Sequence, residues 1–181
     1  MPEQAQKIPI GVSSCLLGAR VRHDGRHKYN ANIVEILGKY FEFLAFCPEV
    51  AIGLGVPRQT VHLVKHSGGI RCIGTVEPDL DITERLLDCA NQQKHWQSSI
   101  SGYIFKKNSP SCGPGNVKVR EGTEEHLTGT GIYARQLMEN FPHLPIIDEQ
   151  DLSDSTLREN FIKRVIDYQR WQALKALTPG V

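Results

Sequence analysis

Three cysteines and the polar residues beside them carry the chemistry open to this chain. Cys15, Cys47 and Cys112 are far apart in sequence, yet each follows a short apolar run: Ile8-Pro9-Ile10-Gly11-Val12, Phe43-Leu44-Ala45-Phe46 and Gly102-Tyr103-Ile104-Phe105. Glu49 comes two residues after Cys47. Ser109 and Ser111 precede Cys112 within Lys106-Lys107-Asn108-Ser109-Pro110-Ser111-Cys112-Gly113-Pro114-Gly115, whose prolines, glycines and serines make a rigid irregular loop. Thiolates are soft ligands, and three without a fourth suit either an iron–sulfur cluster with one open iron or zinc with an exchangeable position. A carboxylate and hydroxyls alongside are what activating a water and orienting a substrate require. Two other classes compete: a hydrolase with Cys112 as nucleophile and a histidine as its base, and a metal-stabilised RNA-binding module.

Composition narrows the setting. The 181 residues are 40% hydrophobic and 23% charged, which is ordinary for a globular chain and excludes disordered and collagen-like classes. A net charge of +1 makes the whole chain neither a nucleic-acid binder nor a membrane-surface protein, so only a local patch would serve either role. No apolar run approaches the ~20 residues that span a bilayer, and Met1 to Lys7 has no signal-peptide core, so a cytoplasmic setting with no membrane partner is expected. Five cysteines in a reducing compartment speak for metal, catalysis or burial rather than disulfides. They contain no CxxC pair and no Cys/His zinc spacing, so any metal site must be assembled from distant segments. The seven histidines contain no HExxH, and none is assigned to the site.

The elements that must position these residues alternate between strand and helix. After the first strand, Asn30 caps a helix carrying Ile33, Val34, Ile36, Leu37 and Tyr40, and Phe43 to Phe46 reads as a strand buried on both faces. Val61 to Lys65 and Ile70 to Val76 form a hairpin laid over the sheet. Asp81 and Glu84 make a capping box for a helix with Ile82, Leu86, Cys89, Ala90 and Trp96 near one face. Gly129-Thr130-Gly131 opens another helix, and Pro145-Ile146-Ile147 is a closing strand. This order implies an α/β fold, a doubly wound, Rossmann-like parallel sheet with a small hairpin insertion, whose strand-end loops share one edge. Cys15, Cys47 and Cys112 sit in such loops. Cys72, in the hairpin, and Cys89, in a helix, are packing residues on this reading. Arg22, Asp24, Arg58 and Lys106 either meet a substrate phosphate or organise loops, and Glu49 either acts on substrate or pairs with Arg58.

Residues 1–150 form the α/β domain. The polar stretch Asp148 to Ser155 reads as a linker, and 151–181 holds a C-terminal amphipathic helix. There Leu157, Phe161, Val165, Tyr168, Trp171, Leu174 and Leu177 recur at three- and four-residue spacing among Arg158, Lys163, Arg164, Arg170 and Lys175. Tyr168 and Trp171 are expected to pack back on the domain or against a second copy in a homodimer.

Three motifs in order, Val12-Ser13-Ser14-Cys15-Leu16-Leu17-Gly18 with Val21-Arg22-His23-Asp24-Gly25, Cys47-Pro48-Glu49 with Gly53, Pro57 and Arg58, and Lys106-x-x-Ser109-Pro110-Ser111-Cys112-Gly113, resemble the TudS-type thiouracil desulfidases over roughly residues 8 to 150. The resemblance implies that Cys15, Cys47 and Cys112 hold a [4Fe-4S] cluster whose fourth iron takes the sulfur of a thiolated uracil. It also implies that Glu49 and Ser109 are the acid/base and substrate-positioning residues, with Ser13 and Ser111 among the substrate contacts. Phe161-Ile162-Lys163-Arg164-Val165 with Tyr168, Arg170 and Trp171 resembles the start of a second domain fused to this desulfidase in proteins acting on 4-thiouridine of tRNA. Only that start is present, so a free thiouracil or a thiouridine nucleotide is at least as much expected as tRNA.

Overall fold

A computed structural model describes residues 6–177. The ends of the chain, including Met1 to Ala5 of the N-terminal stretch read above, lie outside the described residues. In chain order the strands are β1 (Ile8–Ser13), β2 (Phe41–Phe46), β3 (Val61–His66), β4 (Gly69–Gly74), β5 (Tyr103–Phe105), β6 (Val117–Glu121), β7 (Glu124–Gly129) and β8 (Ile146–Asp148). The helices are α1 (Pro48–Ala51), α2 (Thr83–Gln92), α3 (Lys94–Gln97), α4 (Ile132–Asn140) and α5 (Ser155–Leu177). One four-stranded sheet has the order β2-β1-β5-β8 with all neighbours parallel, as the strand–helix alternation predicts. The loops after its strands therefore share one edge.

The two faces of this sheet belong to different cores, and the period of two along each strand divides the side chains between them. On β5, Tyr103 and Phe105 join Leu86, Ala90, Tyr133 and Leu137 of α2 and α4. Ile104, between them, points the other way to Ile10, Val12, Ile33 and Leu37. Phe161 and Val165 of α5 close this second core. Gly102 lets the helix approach, since a Cβ there would lie 2.7 Å from Val165 and 3.2 Å from Phe161. Phe161 is fully buried and meets Phe41 edge-on at 6.3 Å. Phe161→Ala should lower stability by about 3–5 kcal/mol, read by denaturant unfolding, because it leaves a ring-sized cavity at the sheet face.

Several expectations need correction. β2 is an edge strand with Glu42 and Ala45 exposed, so its apolar run does not reflect burial on both faces. The hairpin β3–β4 is half of a second four-stranded sheet, order β4-β3-β6-β7, in which β3 runs parallel to β6. The other half was hidden by its charge: Lys118, Arg120, Glu121, Glu124 and Glu125 dominate β6 and β7, with only Val117 and Val119 buried on β6. The segment capped by Asn30 winds as a π turn (Asn32–Ile36) and a 3-10 turn (Leu37–Lys39) rather than an α-helix. Asp81 accepts the Thr83 N–H, but Glu84 turns outward to Arg71, so the capping box stays open. The polar stretch after β8 is a compact turn that buries Leu152. Tyr168 packs against the core, whereas Trp171 is partly exposed with Lys175 lying 5.1 Å over its ring. Among the described residues no helix is long and apolar enough to cross a membrane.

Candidate active site

The carboxyl ends of β1, β2 and β5 each deliver one cysteine. After β1 the chain turns through Ser14–Leu17, which carries Cys15 and is closed by Gly18 at φ 96°, a left-handed conformation that favours glycine. After β2, Cys47 precedes the short helix α1, where Pro48 fits the first position because no N–H is needed there, and Glu49 follows in the first turn. After β5 the loop to Gly115 is tied at both ends. The Lys106 N–H donates to Ser13 Oγ at 3.0 Å, joining the β5 loop to β1. The start of α4 grips the rest: the Gly131, Ile132 and Ala134 N–H groups donate to the carbonyls of Gly113, Pro110 and Ser111 at 2.8, 3.0 and 3.1 Å. A Cβ on Gly131 would stand 2.6 Å from the Ser111 carbonyl, so this approach requires glycine. The Gly129-Thr130-Gly131 signal is thus a packing turn against the cysteine loop.

These loops enclose a cavity of about 320 Å³ lined by Cys15, Cys47, Cys112, Glu49, Ser109 and Ser111, with Ser13, Arg22, Arg58 and Lys106 around them. Asp24 is not in the lining. It accepts the Arg26 N–H at 3.0 Å and lies 3.8 Å from Arg22 Nε, which makes it an organiser of the loop that carries Arg22.

Glu49 is fixed through both oxygens. Oε2 accepts Arg58 Nε at 2.8 Å, while Oε1 accepts Ser111 Oγ at 2.6 Å. Each terminal nitrogen of Arg58 also donates to a carbonyl, of Gly55 and of Val21, each at 2.8 Å, and the side chain is only 7% exposed. Its charge is therefore used inside the protein. Ser109 Oγ accepts the Cys112 N–H at 3.0 Å and lies 3.0 Å from Ser111 Oγ. Since Ser111 gives its proton to Glu49, the proton between the hydroxyls comes from Ser109. The result is a directed chain, Ser109 to Ser111 to Glu49.

The thiols themselves are held neutral by their surroundings. Burial, reinforced by the nearby Cys47 sulfur, pushes Cys15 up to about 11. Burial also raises Cys47, and burial followed by the Cys47 and Glu49 charges raises Cys112 well above the usual thiol range. Cys15 meets the charge of Cys47, and Cys112 that of both Cys47 and Cys15, so three anions together need a cation among them, and metal binding would displace their protons. Among the described residues no three His, Cys, Asp or Glu side chains are grouped closely enough to hold a single metal ion. A cluster makes a different demand, because each thiolate takes its own iron. The donor set fits such a group better than a lone zinc. Cys72 and Cys89 lie in the hydrophobic core, as expected from the hairpin and the helix.

The sequence profile of the 2-thiouracil desulfurase family matches residues 10–149, a span that includes every side chain just described. The chain belongs to this family. It is also similar to an uncharacterised Bacillus subtilis (strain 168) protein, YbbK, with 30% identity over 151 residues, covering 80% of this chain and 98% of that one. Among solved structures it is similar to TudS, a [4Fe-4S]-dependent thiouracil desulfidase, with a TM-score of 0.65 and 29% identity over 85% of this chain and 99% of that chain.

One residue of this desulfurase-family site escaped the sequence reading. Glu149, which reads as part of a linker, follows β8 directly and reaches the Lys106-Lys107 turn. Its place at the end of the fourth parallel strand was the available signal, because that position is equivalent to those of the cysteine loops.

Proposed function

We propose that this chain is a desulfidase that removes sulfur hydrolytically from thiolated uracil derivatives, with Cys15, Cys47 and Cys112 holding a [4Fe-4S] cluster. The observation that carries the proposal is the convergence of three strand-end thiols and the Ser109–Ser111–Glu49 chain on one cavity. Family membership and the similarity to TudS support the substrate class and the cofactor. A cluster ligated by three thiolates supplies an open iron, a Lewis acid for the soft thiocarbonyl sulfur.

The protein's own residues supply the rest. Arg58 holds Oε2 of Glu49, which leaves Oε1 as the oxygen that exchanges protons. Glu49 takes a proton from water, directly or through Ser111, as the water oxygen bonds to the ring carbon. The carbon–sulfur bond then breaks, sulfur leaves as hydrosulfide, and a carbonyl replaces the thiocarbonyl. No electrons are exchanged, so no redox partner is required. Ser109, at the outer end of the hydroxyl chain, positions the substrate, with Ser13 and Arg22 beside it in the lining.

The substrates we assign are thiouracil and a 4-thiouridine nucleotide, with 4-thiouridine in tRNA a further member of the class. Lys28 and Lys107 in the lining are suited to a phosphate, since neither forms an ion pair among the described residues. Protein reconstituted without oxygen should contain about four iron and four sulfide per chain and release sulfide from thiouracil. Colourless protein that takes up only zinc under the same conditions would sink the proposal.

A further inference from the structure

A second internal ion pair lies behind the cavity wall, and it engages Lys106, one of the lining cations. Glu149 Oε1 pairs with the Lys106 ammonium, and Oε2 accepts the Lys107 N–H at 2.6 Å. Both side chains are largely buried, Lys106 at 18% and Glu149 at 16% exposed, so solvent screens the pair little. An ammonium has three protons. Lys106 gives one to Glu149 and another to the Lys107 carbonyl at 2.8 Å, which leaves one for whatever enters the cavity it lines. Lys106 therefore offers a hydrogen bond whose positive charge is already cancelled.

We propose that Glu149 is a specificity-determining residue for the reaction proposed above, on which this inference rests. By holding Lys106, it makes that wall of the cavity select an uncharged acceptor, such as a pyrimidine carbonyl, over an anionic group. Arg58 is neutralised in the same way by Glu49 at 2.8 Å. Two cations of the lining are thus withheld from anions, and the phosphate of a nucleotide is left to the unpaired lysines and to Arg22, whose Nε has no hydrogen-bond partner among the described residues.

The test compares binding of uridine and uridine 5′-monophosphate to wild type and Glu149→Gln, by calorimetry at matched iron content. Glutamine keeps an oxygen for the Lys107 N–H but releases the Lys106 charge. The monophosphate should bind the variant about fivefold to tenfold more tightly, with the gain lost at high salt, while uridine stays within about twofold. A merely structural role for Glu149 would weaken both ligands. Unchanged or weaker monophosphate binding, an equal gain for uridine, or no monophosphate binding to either protein would overturn the proposal.

A second pair keeps the question open to test should Glu149→Gln not fold. Lys106→Met leaves the Glu149 carboxylate unpaired, so the monophosphate should bind it several-fold more weakly than Lys106→Met/Glu149→Gln. Equal affinities would count against the assignment. Sulfide release from thiouracil by wild type is measured separately: its absence removes the reaction, whereas the binding comparison alone decides the charge selection.

Discussion

Replacing any one of Cys15, Cys47 or Cys112 by serine should remove most of the bound iron and cut sulfide release by more than about 100-fold, beyond what loss of an outer-shell partner causes. The three variants should behave alike, because the cavity brings the sulfurs together from three strand ends and each would hold a different iron. A serine oxygen is a hard donor and does not replace thiolate toward iron. Cys72→Ser and Cys89→Ser should retain their iron, since those side chains pack in the core and are not among the residues that line the cavity. The nucleophile alternative predicts another pattern, in which only Cys112→Ser is inactive. The surroundings of Cys112 already weigh against it: burial, followed by the Cys47 and Glu49 charges, raises its thiol, opposite to what an activated nucleophile needs. Iron analysis beside activity for all five variants separates the two.

Glu49→Gln should lower kcat by about 100- to 10,000-fold while leaving iron content and the visible absorbance of the bound cluster unchanged. Glutamine keeps the size of the side chain and can still accept a hydrogen bond from Ser111, but it cannot take a proton from water. It also deprives Arg58 of its carboxylate partner, so the buried guanidinium is left uncompensated and some loss of stability accompanies the loss of rate. Arg58→Lys separates the two effects: it keeps the charge but not the fork that also bonds Gly55 and Val21, so it should misplace Glu49 and lower the rate less than Glu49→Gln. A Glu49→Gln protein of wild-type rate would show that the proton moves elsewhere. Unchanged iron content is the control that assigns the loss to proton transfer.

Much of the architecture was legible because it rests on local signals. The apolar runs before the cysteines, the Gly129-Thr130-Gly131 turn and the spacing of Phe161 and Val165 all describe how a segment buries itself, and each lies where expected. β6 and β7 were not legible, since strands carrying Lys118, Arg120 and Glu125 gain their place from pairing across the chain rather than from an apolar pattern. The apolar run of β2 misled in the opposite sense, because hydrophobic residues do not reveal whether a strand is central or at an edge.

By itself the sequence determined the ingredients of the site: three cysteines at equivalent strand ends, a carboxylate beside one and hydroxyls beside another. It also determined the parallel sheet that brings such ends to one edge, because alternation of strand and helix dictates it. Only the tertiary structure decided how those ingredients are wired. It gave Arg58 to Glu49, linked Ser109 through Ser111 to that carboxylate, placed Asp24 outside the cavity and brought Glu149 to Lys106. The reason is that a side chain's residue type fixes what it can donate or accept, whereas its partner depends on distances between segments far apart in sequence, 62 residues for Ser111 and Glu49 and 93 for Lys106 and Ser13.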